Sequence, residues 1–225
     1  MNRLSVDAFK EAPKMPLIVV LDDVRSMYNI GSVFRTSDAF RVEAVYLCGI
    51  TARPPHPEIH KTALGGEDSV TWRYFATAQE AVEELHRNNY QVFAIEQCEG
   101  STLLQELKID NSPSSFLLPP SSKYAVVFGN EVKGVHQEVV DQCDGCIEIP
   151  QFGTKHSMNV SVTAGIVIWE FARQLLLTTD PLPPVAPPVP GVGRCPQVHI
   201  SWSDLLHRAT RTFAIHPPLR VLRKH

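Results

Sequence analysis

The chain has 225 residues and a formal net charge of −3, with 44% hydrophobic and 20% charged residues. That balance excludes a fibrous or wholly disordered chain and fits one α/β domain with an extension. The charge is uneven: residues 194–225 carry six Arg and Lys against Asp204, so the tail is +5 and residues 1–193 are −8. An acidic body that holds nucleic acid needs a local basic patch or help from the tail. Five cysteines, and an N-terminus without an apolar core or cleavage site, point to a reducing, cytoplasmic setting.

In chain order, residues 1–16 are polar with two prolines and read as a loose arm. Residues 17–21 are continuously apolar, the pattern of a buried parallel strand. A loop over residues 22–28 leads to a helix over residues 29–40, with Asn29 as its N-cap and Ile30, Val33, Phe34 and Ser37 on one face. Gly31 permits close packing near that end. A strand at 44–48 and a proline-rich loop at 49–57 follow. Residues 58–68 read as short and irregular, with Gly65 and Gly66 at a turn. A strand at 70–75 precedes a helix at 78–88, where Thr77 and Glu80 have capping-box spacing. Strands at 90–95 and 124–128 flank a loop-like stretch that holds a helical turn at 103–107. A short helix at 136–142 leads to a strand at 147–149, ended by Pro150, which has no N–H to give a ladder.

Asn159 then opens an apolar run to Leu177 that covers nearly every face of a helix. Such a helix forms inside a core or between subunits. It is not a membrane span, because Ser161, Thr163, Glu170, Arg173 and Gln174 interrupt it. Beyond it, seven of residues 181–196 are proline, the composition of a stiff linker. Ser203 caps a predicted helix with Trp202, Leu205, Leu206, Ala209 and Phe213 on one side and His207, Arg208 and Arg211 on the other. That helix suits docking on the body or on a partner subunit, or contact with RNA. The division expected is an arm at 1–16, a domain at 17–178, and a linker with basic extension at 179–225.

Alternating apolar strands and helices predict a parallel sheet flanked by helices. Three loops then stand at strand carboxyl ends, where such sheets bind ligands: residues 22–35, 129–134 and 150–159. The second lacks the Lys-Ser/Thr pair of a phosphate loop, and no GxGxxG follows the first strand. Cys143 and Cys146 form a lone CxxC without a second pair or a well-placed His, so no metal site is expected.

Together the loops resemble the SpoU (TrmH) branch of the SPOUT RNA methyltransferases. The matching residues are Asn29-Ile-Gly-Ser-Val-Phe-Arg35, then Val127-Phe-Gly-Asn-Glu-Val-Lys-Gly134, then Ile149-Pro-Gln151 with Ser157-Met-Asn-Val-Ser161. The motifs agree in order and separation and span residues 17 to about 177. The proline-rich basic tail lies outside the family pattern, and a separate N-terminal RNA-binding domain carried by several members has no counterpart here.

The resemblance implies an α/β fold whose C-terminal helix is tucked into a deep trefoil knot, a rare exception to chain topology, and a homodimer packed on that helix. It implies methyl transfer from S-adenosylmethionine to a ribose 2′-hydroxyl of tRNA or rRNA. By that likeness Gly129, Ile149 and Met158 hold the cofactor. Arg35 is the catalytic residue that helps to activate the hydroxyl, and Asn29, Glu131, Ser157 and Asn159 position it, the ribose and the loops. A guanidinium is a poor base, and gripping a phosphate beside the target ribose suits it better. Arg25, Lys61 and Lys133 are further candidates for phosphate contact. The rival expectation is an RNA-binding dimer of the same fold without catalysis.

Overall fold

A computed structural model describes residues 4–109, 117–118, 123–154 and 157–177. In chain order these form α1 (Val6–Glu11), β1 (Met15–Asp22), α2 (Met27–Ala39), β2 (Val42–Cys48), α3 (Pro57–Ala63), α4 (Gly66–Ser69), β3 (Thr71–Phe75), α5 (Ala78–Arg87), β4 (Tyr90–Ile95) and β5 (Thr102–Leu103). A 3-10 turn (Leu104–Glu106), β6 (Lys108–Ile109), β7 (Leu117–Leu118), β8 (Lys123–Phe128), α6 (Gln137–Val140), β9 (Gly145–Glu148) and α7 (Val160–Leu176) complete them.

The main sheet has the order β3-β2-β1-β8-β4-β9-β5, and every neighbouring pair is parallel. β6 and β7 pair separately. β1 shows why its sequence is apolar without alternation. Leu17, Val19 and Leu21 pack into one core with residues of α2 and α7, while Ile18 and Val20 enter a second core with α5. Successive strand side chains point to opposite faces, and both faces are covered. Each such burial contributes about 1.5–3 kcal/mol. Because β8 lies between β1 and β4, the strand order turns there, and the carboxyl ends of β8, β4 and β9 stand side by side.

Several local expectations change. The N-terminal stretch is no loose arm over residues 6–11: Ser5 caps α1 through the Ala8 N–H, and Phe9 is buried. Residues 58–68 hold two helices, α3 and α4, because Pro57 starts the first with a preset φ and the His56 ring accepts the Glu58 N–H. α2 begins at Met27 with Ser26, not Asn29, as its N-cap. The Thr77 hydroxyl caps α5 as expected, but the Glu80 carboxylate accepts the N–H of Ala76, one residue outside the predicted box. β9 ends at Glu148, two residues before Pro150. Gly31 packs as expected: a Cβ there would lie 2.2 Å from both the Ile59 carbonyl and the Thr62 hydroxyl.

α7 is not buried all round in a single chain. Ala164, Val167, Ile168, Phe171 and Ala172 face the core, whereas Val162, Ile166 and Trp169 are 53%, 37% and 47% exposed. These three follow i, i+4, i+7 spacing and form one outward stripe. Among the described residues no helix is long and apolar enough to cross a membrane. The proline-rich linker and the basic tail helix lie outside the described residues.

Candidate functional site

A cavity of about 560 Å³ opens over the carboxyl ends of β4, β8 and β9. Ile95, Phe128, Ile147, Ile149, Met158 and Val160 supply apolar wall, and Glu96, Gln97, Glu131, Lys133, Ser157 and Asn159 supply polar groups. Six of the eight residues assigned from sequence therefore meet here: Gly129, Glu131, Ile149, Ser157, Met158 and Asn159. Asn29 and Arg35 do not line the cavity.

The loop after β8 closes on itself. Asn130 and Gly134 exchange backbone hydrogen bonds of 3.0 and 2.9 Å. The Asn130 carbonyl oxygen of the side chain accepts the N–H groups of Val132 and Lys133, and its amide donates to the Asp23 carbonyl. Gly129 is required inside this loop. A Cβ there would meet the Gly134 carbonyl carbon at 2.0 Å and the Val135 nitrogen at 2.1 Å. The close approach that demands a glycine here is backbone on backbone.

Glu131 ties this loop to the first one. Its carboxylate accepts the Arg25 N–H, the Ser26 N–H and the Asn29 side-chain amide at 3.0, 3.0 and 3.1 Å. Asn29 in turn accepts from the Asn159 amide at 3.1 Å. Asn159 caps α7 by accepting the N–H groups of Ser161 and Val162. One chain of contacts, Glu131–Asn29–Asn159, therefore links all three loops. Asn29 is free for this role because Ser26 takes the capping position.

Partial burial pushes the Glu131 carboxyl up, but the donors from Arg25, Ser26 and Asn29 outweigh it, and the net shift is downward. A folded-state value below the unfolded one means that the tie is fully present above the ordinary carboxylate range and is lost as pH falls through the folded value. The Arg25 and Ser26 amide resonances are expected to titrate together with a midpoint below 4.5, the ordinary value. A Glu131→Gln protein should show no such step; an unchanged step would assign it to another group.

Arg35 stands elsewhere on α2. Six residues beyond Asn29, it lies roughly 120° around the helix and about 9 Å along it. Its side chain is exposed, with no hydrogen-bond or ion-pair partner among the described residues. The expected cleft thus forms from the second and third loops, with the first attached at its rim through Asn29. Of the other cations, Lys133 lines the cavity, Arg25 contributes its backbone N–H to Glu131, and Lys61 pairs with Glu58 at 2.5 Å.

Residues absent from the sequence expectations also belong here. Ile95, Glu96 and Gln97 form a wall after β4. The Glu96 carboxylate accepts the N–H groups of Gln97 and Val135 at 3.0 and 3.1 Å, holding the β8 loop from its other side. The signal for them was positional: they follow an apolar strand immediately, as the other loops do. Outside the cavity lining, Asp22, Asp23 and His136 bring three potential ligand atoms within 4.8 Å of one another. The buried Asp22 carboxylate already accepts from the backbone and ring of His136, a tie between β1 and the end of the β8 loop.

Comparison with known proteins gives a consistent picture. A 23S rRNA (guanosine-2′-O-)-methyltransferase of Neisseria meningitidis serogroup B is 30% identical over 77% of this chain, and the alignment covers 65% of that relative's own length, just under two thirds. The tRNA (guanosine(18)-2′-O)-methyltransferase of Thermus thermophilus is 31% identical over 71% of this chain and 76% of its own. Among solved structures, the A. aeolicus TrmH/SpoU tRNA modifying enzyme superposes with a TM-score of 0.63 at 25% identity, covering 75% of this chain and 80% of that one. The AdoMet-bound rRNA methyltransferase from Sinorhizobium meliloti gives 0.63 at 26% identity, over 77% and 62%. The model of the SpoU rRNA Methylase family matches residues 16–169, a stretch that holds all three loops and most of the sheet, and the chain belongs to that family.

Proposed function

We propose that the protein transfers the methyl group of S-adenosylmethionine to a ribose 2′-hydroxyl of tRNA or rRNA, in the cytoplasm. The observation that carries this reading is the cavity at the ends of β4, β8 and β9, bordered by the family's second and third motifs and tied to the first through Glu131, Asn29 and Asn159. Its volume suits a nucleoside-sized ligand. Its apolar walls suit an adenine, held by Ile149 and Met158. Glu96 and Glu131 give it a negative bias that suits a cationic sulfonium or amine. When bound, the cofactor supplies an activated methyl carbon, so little covalent help is asked of the protein.

The chain's own residues then align and exclude. Ser157 and Asn159, at the rim, orient the ribose by hydrogen bonds, and Asn29 and Glu131 hold the loops that carry them. Arg35 grips a phosphate of the RNA beside the target ribose, and Lys133 and Arg25 extend the cationic path. Residues 17–178 form the methyltransferase domain, residues 1–16 an N-terminal segment that packs on it through Phe9 and Met15, and residues 179–225 a linker and basic extension that adds RNA affinity. Transfer of labelled methyl from S-adenosylmethionine to tRNA or rRNA, with 2′-O-methyl mapping of the product, tests the reading. RNA binding without transfer would favour the non-catalytic rival.

The active form is a homodimer with a knotted C-terminus. The packing of α7 against β1 and α2 supports the knot, and its outward stripe of Val162, Ile166 and Trp169 needs a cover. A second copy supplies it with the same stripe. Trp169→Glu is expected to convert a dimer to a monomer in native mass measurements. A wild-type monomer, or an unaffected dimer, would remove this face from assembly.

A further inference from the structure

Cys98 and Cys146 lie apart in sequence and together in space, with Sγ atoms 3.1 Å apart and the Cys146 thiol donating to Cys98. Cys146 is in β9, paired with β4 on one side and followed by Ile147, which pairs with both β4 and β5. Cys98 sits in the turn after β4, closed by the Ser101 N–H on the Cys98 carbonyl. Both are half-buried free thiols. Neither lines the cavity, but their neighbours do: Glu96 and Gln97 on one side, Ile147 and Glu148 on the other.

We propose that Cys98 and Cys146 are a redox-modification site: they form a reversible disulfide by exchange with an oxidised low-molecular-weight disulfide, and the bond loosens ligand binding in the adjacent cavity. The binding part rests on the donor reading given above. In the exchange, the Cys98 thiolate attacks one sulfur of RSSR and expels RS⁻. The Cys146 thiolate then attacks the Cys98 sulfur and expels the second RS⁻. The two thiols lose two protons and two electrons, and RSSR becomes two RSH. Burial, then the hydrogen bond to Cys98, pushes the Cys146 thiol up to about 12, which disfavours it as the first nucleophile.

A disulfide bond is roughly 2.05 Å long, so the sulfurs must close by about 1 Å. Cys146 is held in the sheet, so on this proposal the closure is taken up by residues 96–98 in the turn after β4. That motion pulls Glu96 from the N–H groups of Gln97 and Val135 and shifts two cavity residues.

The test uses the full chain with oxidised glutathione as RSSR and S-adenosylhomocysteine as cavity probe. Expected are loss of two hydrogens by intact mass, a linked Cys98–Cys146 peptide, and roughly fivefold weaker binding, the size of one lost hydrogen bond, all restored by dithiothreitol. Cys98→Ser should bind like the reduced protein and ignore the oxidant. Linkage through other cysteines, no linkage, or linkage with unchanged affinity overturns the proposal. Where neither redox form binds the probe, the donor reading falls. The thiol proposal is then decided by amide exchange at Gln97 and Val135: faster exchange on oxidation keeps it and unchanged exchange ends it.

Discussion

Replacing Arg35 with alanine is expected to lower methyl transfer by roughly tenfold to a hundredfold, the size of one hydrogen bond to a charged group, while leaving donor affinity unchanged. The separation of the two effects follows from placement. Arg35 is exposed on α2 and lies outside the cavity, so its loss removes nothing from the donor's surroundings. Nor should the fold suffer. Arg35 has no ion pair or hydrogen bond among the described residues, and alanine is the better helix former. On the proposed reading, what is removed is a charge-assisted contact to phosphate, a class of bond roughly twice as strong as a neutral one. Full transfer by the variant would exclude Arg35 from the mechanism. Its distance from the cavity in one chain also raises the question of which cavity it serves. Mixing Arg35→Ala protein with a cavity-blocked Met158→Trp protein restores transfer only if Arg35 reaches across the dimer. Two inactive proteins that stay inactive when mixed would place its action within one chain.

The parts of the molecule most legible in the sequence are those that local chemistry decides. Residues 17–21 of β1 and 124–128 of β8 form apolar runs because both sheet faces are covered, and such runs announce themselves. Asn159 caps α7 as its side chain and position suggest. The less legible parts depend on partners distant in sequence. Asn29 looked like a helix cap, and only the fold reveals that Ser26 caps α2 and leaves Asn29 to join Glu131 and Asn159, which stand more than a hundred residues away. Glu131 offered no sequence signal for its partners, since the N–H groups that it accepts belong to a loop brought near by the pairing of β1 with β8. The wall formed by Glu96 and Gln97 was missed for the same reason: β4 becomes a neighbour of β8 only through a crossover that no local pattern encodes. α7 is apolar on all sides as read, yet Val162, Ile166 and Trp169 face outward in one chain, because an apolar run in a sequence does not say which of its faces meets the core.

Gly129→Ala is expected to be the most damaging single methyl group in the site. The new Cβ would fall 2.0 Å from the Gly134 carbonyl carbon, 2.1 Å from the Val135 nitrogen and 2.2 Å from the Gly134 oxygen. All three are backbone atoms, so no side chain can swing aside. The loop must open, at the expense of the two backbone bonds between Asn130 and Gly134. Overpacking of this kind costs about 1–3 kcal/mol, to be read as a lower melting temperature. The effect on function should be larger than the effect on stability. Phe128 is buried in one core and Val135 in the other, so the sheet holds while the loop between them shifts, and Glu131 moves with it. Displacing reacting groups by about 1 Å costs roughly a hundredfold in rate, and the same displacement disturbs the cavity wall. Donor affinity and transfer should therefore both collapse in a protein that still folds. Gly153→Ala is the control, because among the described residues nothing lies within 4 Å of a Cβ at that position; it should leave melting temperature and donor affinity unchanged. If Gly129→Ala behaved like the control, the tight closure of the β8 loop would have no part in shaping the site.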